Sequence, residues 1–322
     1  MLESLHIVRY TAEQNGVWDD FVVKAKNGTF LFMRDYMDYH ADRFVDYSLM
    51  FYKGKQLLAL LPAHIAGKVF GTHAGLTYGG FLISYQVTAD VMIEMFRMLC
   101  RYLKENTEAD KILYRVIPYI YHAYPSEEDL YALFRLEARL TERKISSVVL
   151  LSAGIPFRKL RVRKLKQAQK GGVTICSDSA YELFWPILER NLLECHGANP
   201  VHSLEEITCL HSRFPENIRL HRAVNEEKET LAGCVMYITD NVAHVQYIGS
   251  TEQGRKQGAL DLLFDKLLHE HYIDKKYFDF GTSVENGGRY LNEGLIFQKE
   301  GFGGRAVVYD VYELCLNSIS DD

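Results

Sequence analysis

The apolar positions of the chain change period along its length. Trp18, Phe21, Val22 and Ala25 recur at the spacing of one helical face behind the capping-box sequence Thr11-Ala12-Glu13-Gln14, which predicts a helix over 12–26. From Tyr47 the runs become β-rich: Leu49 to Tyr52, a turn at Lys53-Gly54-Lys55, then Leu57 to Ile65, which reads as a hairpin. An extended stretch from Val69 to Ser84 follows, interrupted by Gly71, Gly75, Gly79 and Gly80. Helical spacing returns from Asp90, with Met92, Met95, Phe96, Leu99 and Leu103 on one face, and Lys111 to Ile117 reads as a strand. Ser126-Glu127-Glu128-Asp129, after Pro125, predicts a helix to about Arg143, and Ser146 to Leu151 is again extended.

The second half repeats that order. Leu220 to Val224 and Leu231 to Ile238 flank a charged turn, Val242 to Ser250 is a strand, a helix starts at Gly258, and Lys276 to Gly281 is a strand. Matching elements stand 171, 168 and 165 residues apart (220 against 49, 258 against 90, 276 against 111), which reads as an internal duplication. The expected fold is therefore α/β of the α+β kind, in two tandem domains, each a mixed, largely antiparallel sheet flanked by helices. The turn Gly154-Ile155-Pro156 sets the boundary near 155, giving domains 1–155 and 156–322.

Composition narrows the function classes. With 48% apolar and 25% charged residues, the chain can bury a core. A formal charge of -5 argues against the diffuse positive field of a dedicated nucleic-acid binder and directs attention to local clusters. No apolar run approaches the roughly 18 residues of a membrane span, so a cytoplasmic protein without membrane insertion is expected. The six cysteines show no C-x-x-C spacing and read as reduced thiols.

Three stretches carry chemistry. Arg158 to Lys170 holds seven basic residues and no acid, so on a helix it presents either a phosphate-binding face or a solvated, acid-paired one. Gln246 to Ala259 places Gly249, Arg255, Lys256 and Gly258 between a strand and a helix N-terminus, where unpaired N–H groups suit a pyrophosphate or an oxyanion. Phe278 to Arg305 ends a strand and then passes seven glycines beside Glu285, Asn292, Lys299 and Arg305. Cys195, His196, His202, Cys209 and His211 crowd a short span, but their spacing fits no zinc framework and no metal is expected. A nucleophilic Cys195-His196 pair is not expected either, since neighbours in sequence rarely face each other.

The run from Arg158 to Val173, the segment Asn199 to Ile207, Phe278 to Gly281, and Gly294-Leu295 with Lys299-Glu300-Gly301-Phe302-Gly303 resemble the FemAB-type branch of the GNAT acyltransferase superfamily. The resemblance implies two GNAT-like domains in tandem and transfer of an acyl or aminoacyl group onto an amine of a cell-wall precursor or amino sugar, small or carrier-linked. It implies aminoacyl-tRNA or acyl-CoA as donor substrate, with no permanently bound cofactor and tRNA as a partner. The family's basic helix maps to Arg161, Arg163, Lys164 and Lys170, and its lysine before the Phe-Gly pair to Lys299, there to hold a phosphate or the tetrahedral oxygen. A base comes from His202 or Glu285. His202 directly precedes the capping box Ser203-Leu204-Glu205-Glu206, where the helix dipole disfavours protonation. The GNAT pyrophosphate loop reads Arg/Gln-x-x-Gly-x-Gly/Ala, whereas Arg255-Lys256-Gln257-Gly258-Ala259-Leu260 ends in leucine, which counts against standard coenzyme A docking. Two other readings are a non-catalytic module that binds a phosphate-rich ligand or RNA, and an acyl-CoA N-acetyltransferase of a small amine.

Overall fold

The computed structural model describes residues 4–40, 43–73 and 75–318. Two compact units form, and neither is one stretch of sequence: the first is Met1–Lys144 with Asn286–Arg289 and Val308–Asp322, the second Ile145–Glu285 with Tyr290–Val307.

The first unit opens with β1 (Leu5–Arg9), α1 (Asn15–Lys24), the single turn α2 (Arg34–Met37) and β2 (Val45–Asp46). The capping box predicted at Thr11–Gln14 forms, with a 3-10 turn leading into α1. Next come β3 (Leu49–Lys53), β4 (Gln56–Leu61), β5 (Ala63–Ala66), β6 (Val69–Thr72) and β7 (Leu82–Ile83). The run expected as one strand from Leu57 to Ile65 is cut at Pro62, which has no N–H for a ladder. β4 consequently joins the sheet β1-β3-β4-β7, while β5 pairs with β2 and β6. The long helix α3 (Ala89–Asn106) crosses from β6 to the parallel strand β8 (Lys111–Arg115). Its buried face is Met92, Met95, Phe96, Leu99, Cys100 and Leu103. Each large apolar side chain there contributes about 1.5–3 kcal/mol by leaving water.

The helix expected from Ser126 to Arg143 is shorter. α4 spans Glu128–Arg135, the chain turns through Glu137 at φ 56, and β9 (Arg139–Leu150) begins. Long-range pairing with the last strand overrides the local helical pattern: Thr141 Oγ1 donates to the Val311 carbonyl at 3.0 Å, and Arg143 makes a two-pronged ion pair with Asp310 at 2.8 and 2.7 Å.

The second unit contains α5 (Lys159–Lys170), β10 (Thr174–Asp178), α6 (Tyr181–His196), α7 (Leu204–Arg213), β11 (Ile218–Val224), β12 (Thr230–Ile238) and β13 (Val242–Ser250). α8 (Glu252–Gln257), α9 (Ala259–Lys266), β14 (Tyr277–Thr282), the short hairpin β15 (Val284–Glu285) and β16 (Tyr290–Leu291), and α10 (Glu293–Glu300) follow. The final strand is β17 (Arg305–Cys315). The sheet runs β10-β11-β12-β13-β14-β9, antiparallel except for the pair β13 and β14.

The predicted repeat is thus present as a repeated crossover. β6, α3 and β8 in the first unit match β13, α9 and β14 in the second, and each parallel pair gains an antiparallel partner, β17 on β8 and β9 on β14. Each unit has the mixed, largely antiparallel sheet with flanking helices that the pattern predicts. Where a glycine loop was expected before the long helix, the chain forms α8 and then reverses at Gly258, whose φ of 79 ends α8 and opens α9. A Cβ at Gly258 would lie 2.4 Å from the Lys164 carbonyl oxygen, so α5 backs directly onto this turn.

Candidate functional site

β13 and β14 share three rungs, Val242 with Tyr277, Ala243 with Phe278 and His244 with Asp279, and their ladder ends there. Both strands are irregular past that point. β13 shifts register against β12 between Val235 and Met236, and β14 shifts against β9 between Asp279 and Thr282. Gly281, at φ 75, permits the second bulge. The backbone of β13 beyond His244 therefore has no ladder partner on β14, and the two strands part.

The last shared rung carries two polar side chains on the face opposite the core residues Ala243, Val245, Phe278 and Phe280. Asp279 is fully buried. Its Oδ1 accepts from Ser146 Oγ and from the Gly281 N–H at 2.8 Å, and Oδ2 lies 2.8 Å from His244 Nδ1. A carboxylate only accepts, so Nδ1 carries the hydrogen and Nε2 of the neutral ring keeps a lone pair. Nε2 has no hydrogen-bond partner among the described residues, and 10% of the His244 side chain stays accessible.

Lys299 approaches the same rung from α10. Asn292 starts that helix: its Oδ1 accepts the Leu295 N–H at 3.0 Å and its own N–H donates to the Ser283 carbonyl at 3.0 Å. Lys299 is buried, and its Nζ donates to the carbonyls of Gly281 at 2.9 Å and Thr282 at 2.7 Å. Burial pulls its pKa down from 10.5 to about 8, while the negative charge of Asp279 acts in the opposite direction. An ammonium has three donors, and the two carbonyls leave one for a ligand. Gly281 joins these groups. Its N–H serves Asp279, its carbonyl serves Lys299, and a Cβ there would stand 3.5 Å from His244 Cε1.

The other residues singled out in the sequence lie elsewhere in the second unit. His202 is buried, with Nδ1 hydrogen-bonded to Tyr247 Oη. The capping box after it forms as predicted, with the Glu206 N–H on Ser203 Oγ at 3.2 Å and the Ser203 N–H on Glu206 Oε2 at 2.7 Å. Burial pushes the Tyr247 phenol up to about 12, so it stays neutral against this ring. Glu285 is exposed on the hairpin β15-β16, and Asn292 is committed to the helix cap. Cys195 and His196 lie outside the described residues as far as their side chains are concerned. His211 Nδ1 is 2.7 Å from the Ile218 carbonyl.

The cations divide into two groups. Arg161 pairs with Asp261 at 3.0 Å, Lys164 Nζ donates to the Lys256 carbonyl at 2.9 Å, Arg255 donates to the Ser250 carbonyl at 2.8 Å, and Lys256 pairs with Glu252 at 2.7 Å. Gly249 is a strand residue tucked under α6, its Cβ position 3.3 Å from Leu188 and Phe184. Arg163 and Lys170 are exposed, and with Lys159 and Lys166 they fall at i, i+4, i+7 and i+11 of α5. None of these four has an ion-pair partner among the described residues. They line a concavity of about 660 Å³ with Phe157, Val162 and Gln167.

Asp279, His244 and Ser146 join the site only through the fold. The available signal was a lone acid between Phe278 and Phe280, and a lone histidine between Ala243 and Val245, in runs that otherwise read as buried strands.

Comparison with models of protein families finds no match, and comparison with curated proteins finds none. Solved structures do match. FemX superposes over 97% of this chain and 98% of its own at a TM-score of 0.65 and 11% identity. L-PGS from Bacillus licheniformis matches over 83% of each chain, with a TM-score of 0.55 and 12% identity. The C-terminal domain of an Agrobacterium fabrum protein assigned as a lysylphosphatidylglycerol synthetase matches over 80% of each, with a TM-score of 0.54 and 12% identity. At such identities the likeness is one of fold.

Proposed function

Taking as premise that this chain has the FemAB-type GNAT fold of FemX, we propose that it is an aminoacyl transferase that moves an activated aminoacyl group from an RNA ester onto an amine. The observation that carries the reading is Lys299. It is a buried ammonium with one uncommitted donor, held at the point where β13 and β14 part. The acceptor nitrogen attacks the donor's ester carbonyl, a C–N bond forms, and the carbonyl oxygen becomes an oxyanion that Lys299 meets with its third N–H. Collapse breaks the C–O bond. The proton lost by the amine leaves with the donor's hydroxyl, so the reaction needs no further reagent. The acceptor is an amine of a cell-wall precursor or amino sugar.

Two features favour RNA over coenzyme A as the donor's carrier. The N-terminus of α9 is occupied: Asp261 sits in its first turn paired with Arg161, and the Lys164 carbonyl crowds Gly258. The stripe of Lys159, Arg163, Lys166 and Lys170 presents four uncompensated charges suited to a phosphate backbone.

The test presents the protein with bulk tRNA charged with labelled amino acids, or with labelled acetyl-CoA, and with glycinamide or glucosamine as acceptor. Label is expected to pass from tRNA to the amine, and Lys299→Ala is expected to slow transfer by about 10²–10³-fold. Transfer from acetyl-CoA alone, or an unimpaired Lys299→Ala protein, would overturn the reading.

A further inference from the structure

We propose that His244, oriented by Asp279, is the general base that takes the proton from the acceptor amine. The inference rests on the transferase reading and adds the residue that the oxyanion partner alone does not supply. Three features single this histidine out.

The first is preorganisation. Asp279 is held on both oxygens, by Ser146 and the Gly281 N–H on one and by His244 on the other, so the carboxylate and the ring cannot rotate independently. The second is availability. Nε2 is uncommitted and part of the side chain is accessible, whereas the ring of His202 is bound to Tyr247 and Glu285 stands exposed on a separate hairpin. The third is placement. The ring belongs to the last rung before the strands part; a Cβ at Gly281 would stand 3.5 Å from its Cε1, and the Gly281 carbonyl accepts from Lys299 Nζ at 2.9 Å, so base and oxyanion partner meet at one residue.

The proton balance closes within this set. Nε2 removes one proton from the attacking nitrogen as the C–N bond forms, and the resulting imidazolium is stabilised by Asp279. It returns the proton to the departing oxygen as the C–O bond breaks.

The experiment uses the full chain, charged bulk tRNA and glycinamide. His244→Gly is expected to lose about 10²–10⁴-fold in transfer rate, and added imidazole is expected to restore activity in proportion to its concentration. His244→Asn retains a nitrogen donor for Asp279 and has no base. It is expected to fold with an unchanged melting temperature and to be as impaired as His244→Gly. Imidazole should not rescue Lys299→Ala. Full activity in His244→Asn, or a folded His244→Gly protein that imidazole fails to revive, would overturn the inference. Either result beside an inactive Lys299→Ala leaves the transferase reading standing. Loss of neither activity in the two variants would remove both.

Discussion

A charged side chain placed out of water must be met by partners, and Lys299 is met by two carbonyls and the nearby charge of Asp279. The compensation is incomplete, which is why its pKa falls to about 8. The folded chain therefore sheds this proton before the unfolded chain does. Between about 8 and 10.5 the unfolded state binds more protons, so stability rises with pH through that window. Denaturant unfolding across it should show the protein gaining roughly 3 kcal/mol relative to Lys299→Met, which lacks the group. Parallel stability curves for the two would contradict a buried, destabilised ammonium. Lys299 was legible in the sequence because the residues around it carry a family pattern. Asp279 and His244 are 35 residues apart and acquire meaning only when β13 and β14 pair in parallel with those two residues opposite one another.

At the scale of elements, α10 holds Lys299 in place, and its first turn depends on Asn292. Replacement by Ala removes the cap and is expected to cost about 1 kcal/mol, whereas Ser or Asp should restore most of it. Thermal unfolding of the three variants checks this, and a transfer rate that falls in all three alike would instead make Asn292 part of the chemistry. Local rules of this kind were readable in advance. The boxes at Thr11 and Ser203 involve residues three apart and formed where the sequence placed them. The overrun of α4 shows the limit of such rules. Arg139 to Arg143 have helix-compatible side chains, yet they are drawn into a strand by Val311, Asp310 and Glu313, about 170 residues away. Pro62 was a local warning that the long strand breaks, and the break sends the two pieces to different sheets.

At the scale of the molecule, the first unit is completed by the end of the chain. β17 pairs with β8 from Val311 to Cys315, Leu314 and Leu316 enter the first core, and Asp310 holds Arg143. A chain ending at Val307 should therefore lose hydrogen-exchange protection in α3 and β8. β11, β12 and β13, with their own core of Cys234, Met236 and Phe264, should keep theirs. Uniform protection in the truncated chain would show that the first unit does not need its last strand.

The periodicities of 3.6 and 2 and the near-constant offset between halves determined the element types, their order and their repetition, because each is a property of neighbouring residues or of their spacing. The family pattern around residues 294–303 pointed to Lys299 for the same reason. Tertiary structure alone decided which cations are spent on structural partners and which face outward, where the strands part, and that Asp279, His244 and Lys299 converge on Gly281. Those outcomes depend on strand register and on contacts between distant segments, and a linear pattern of side chains encodes neither in any one place.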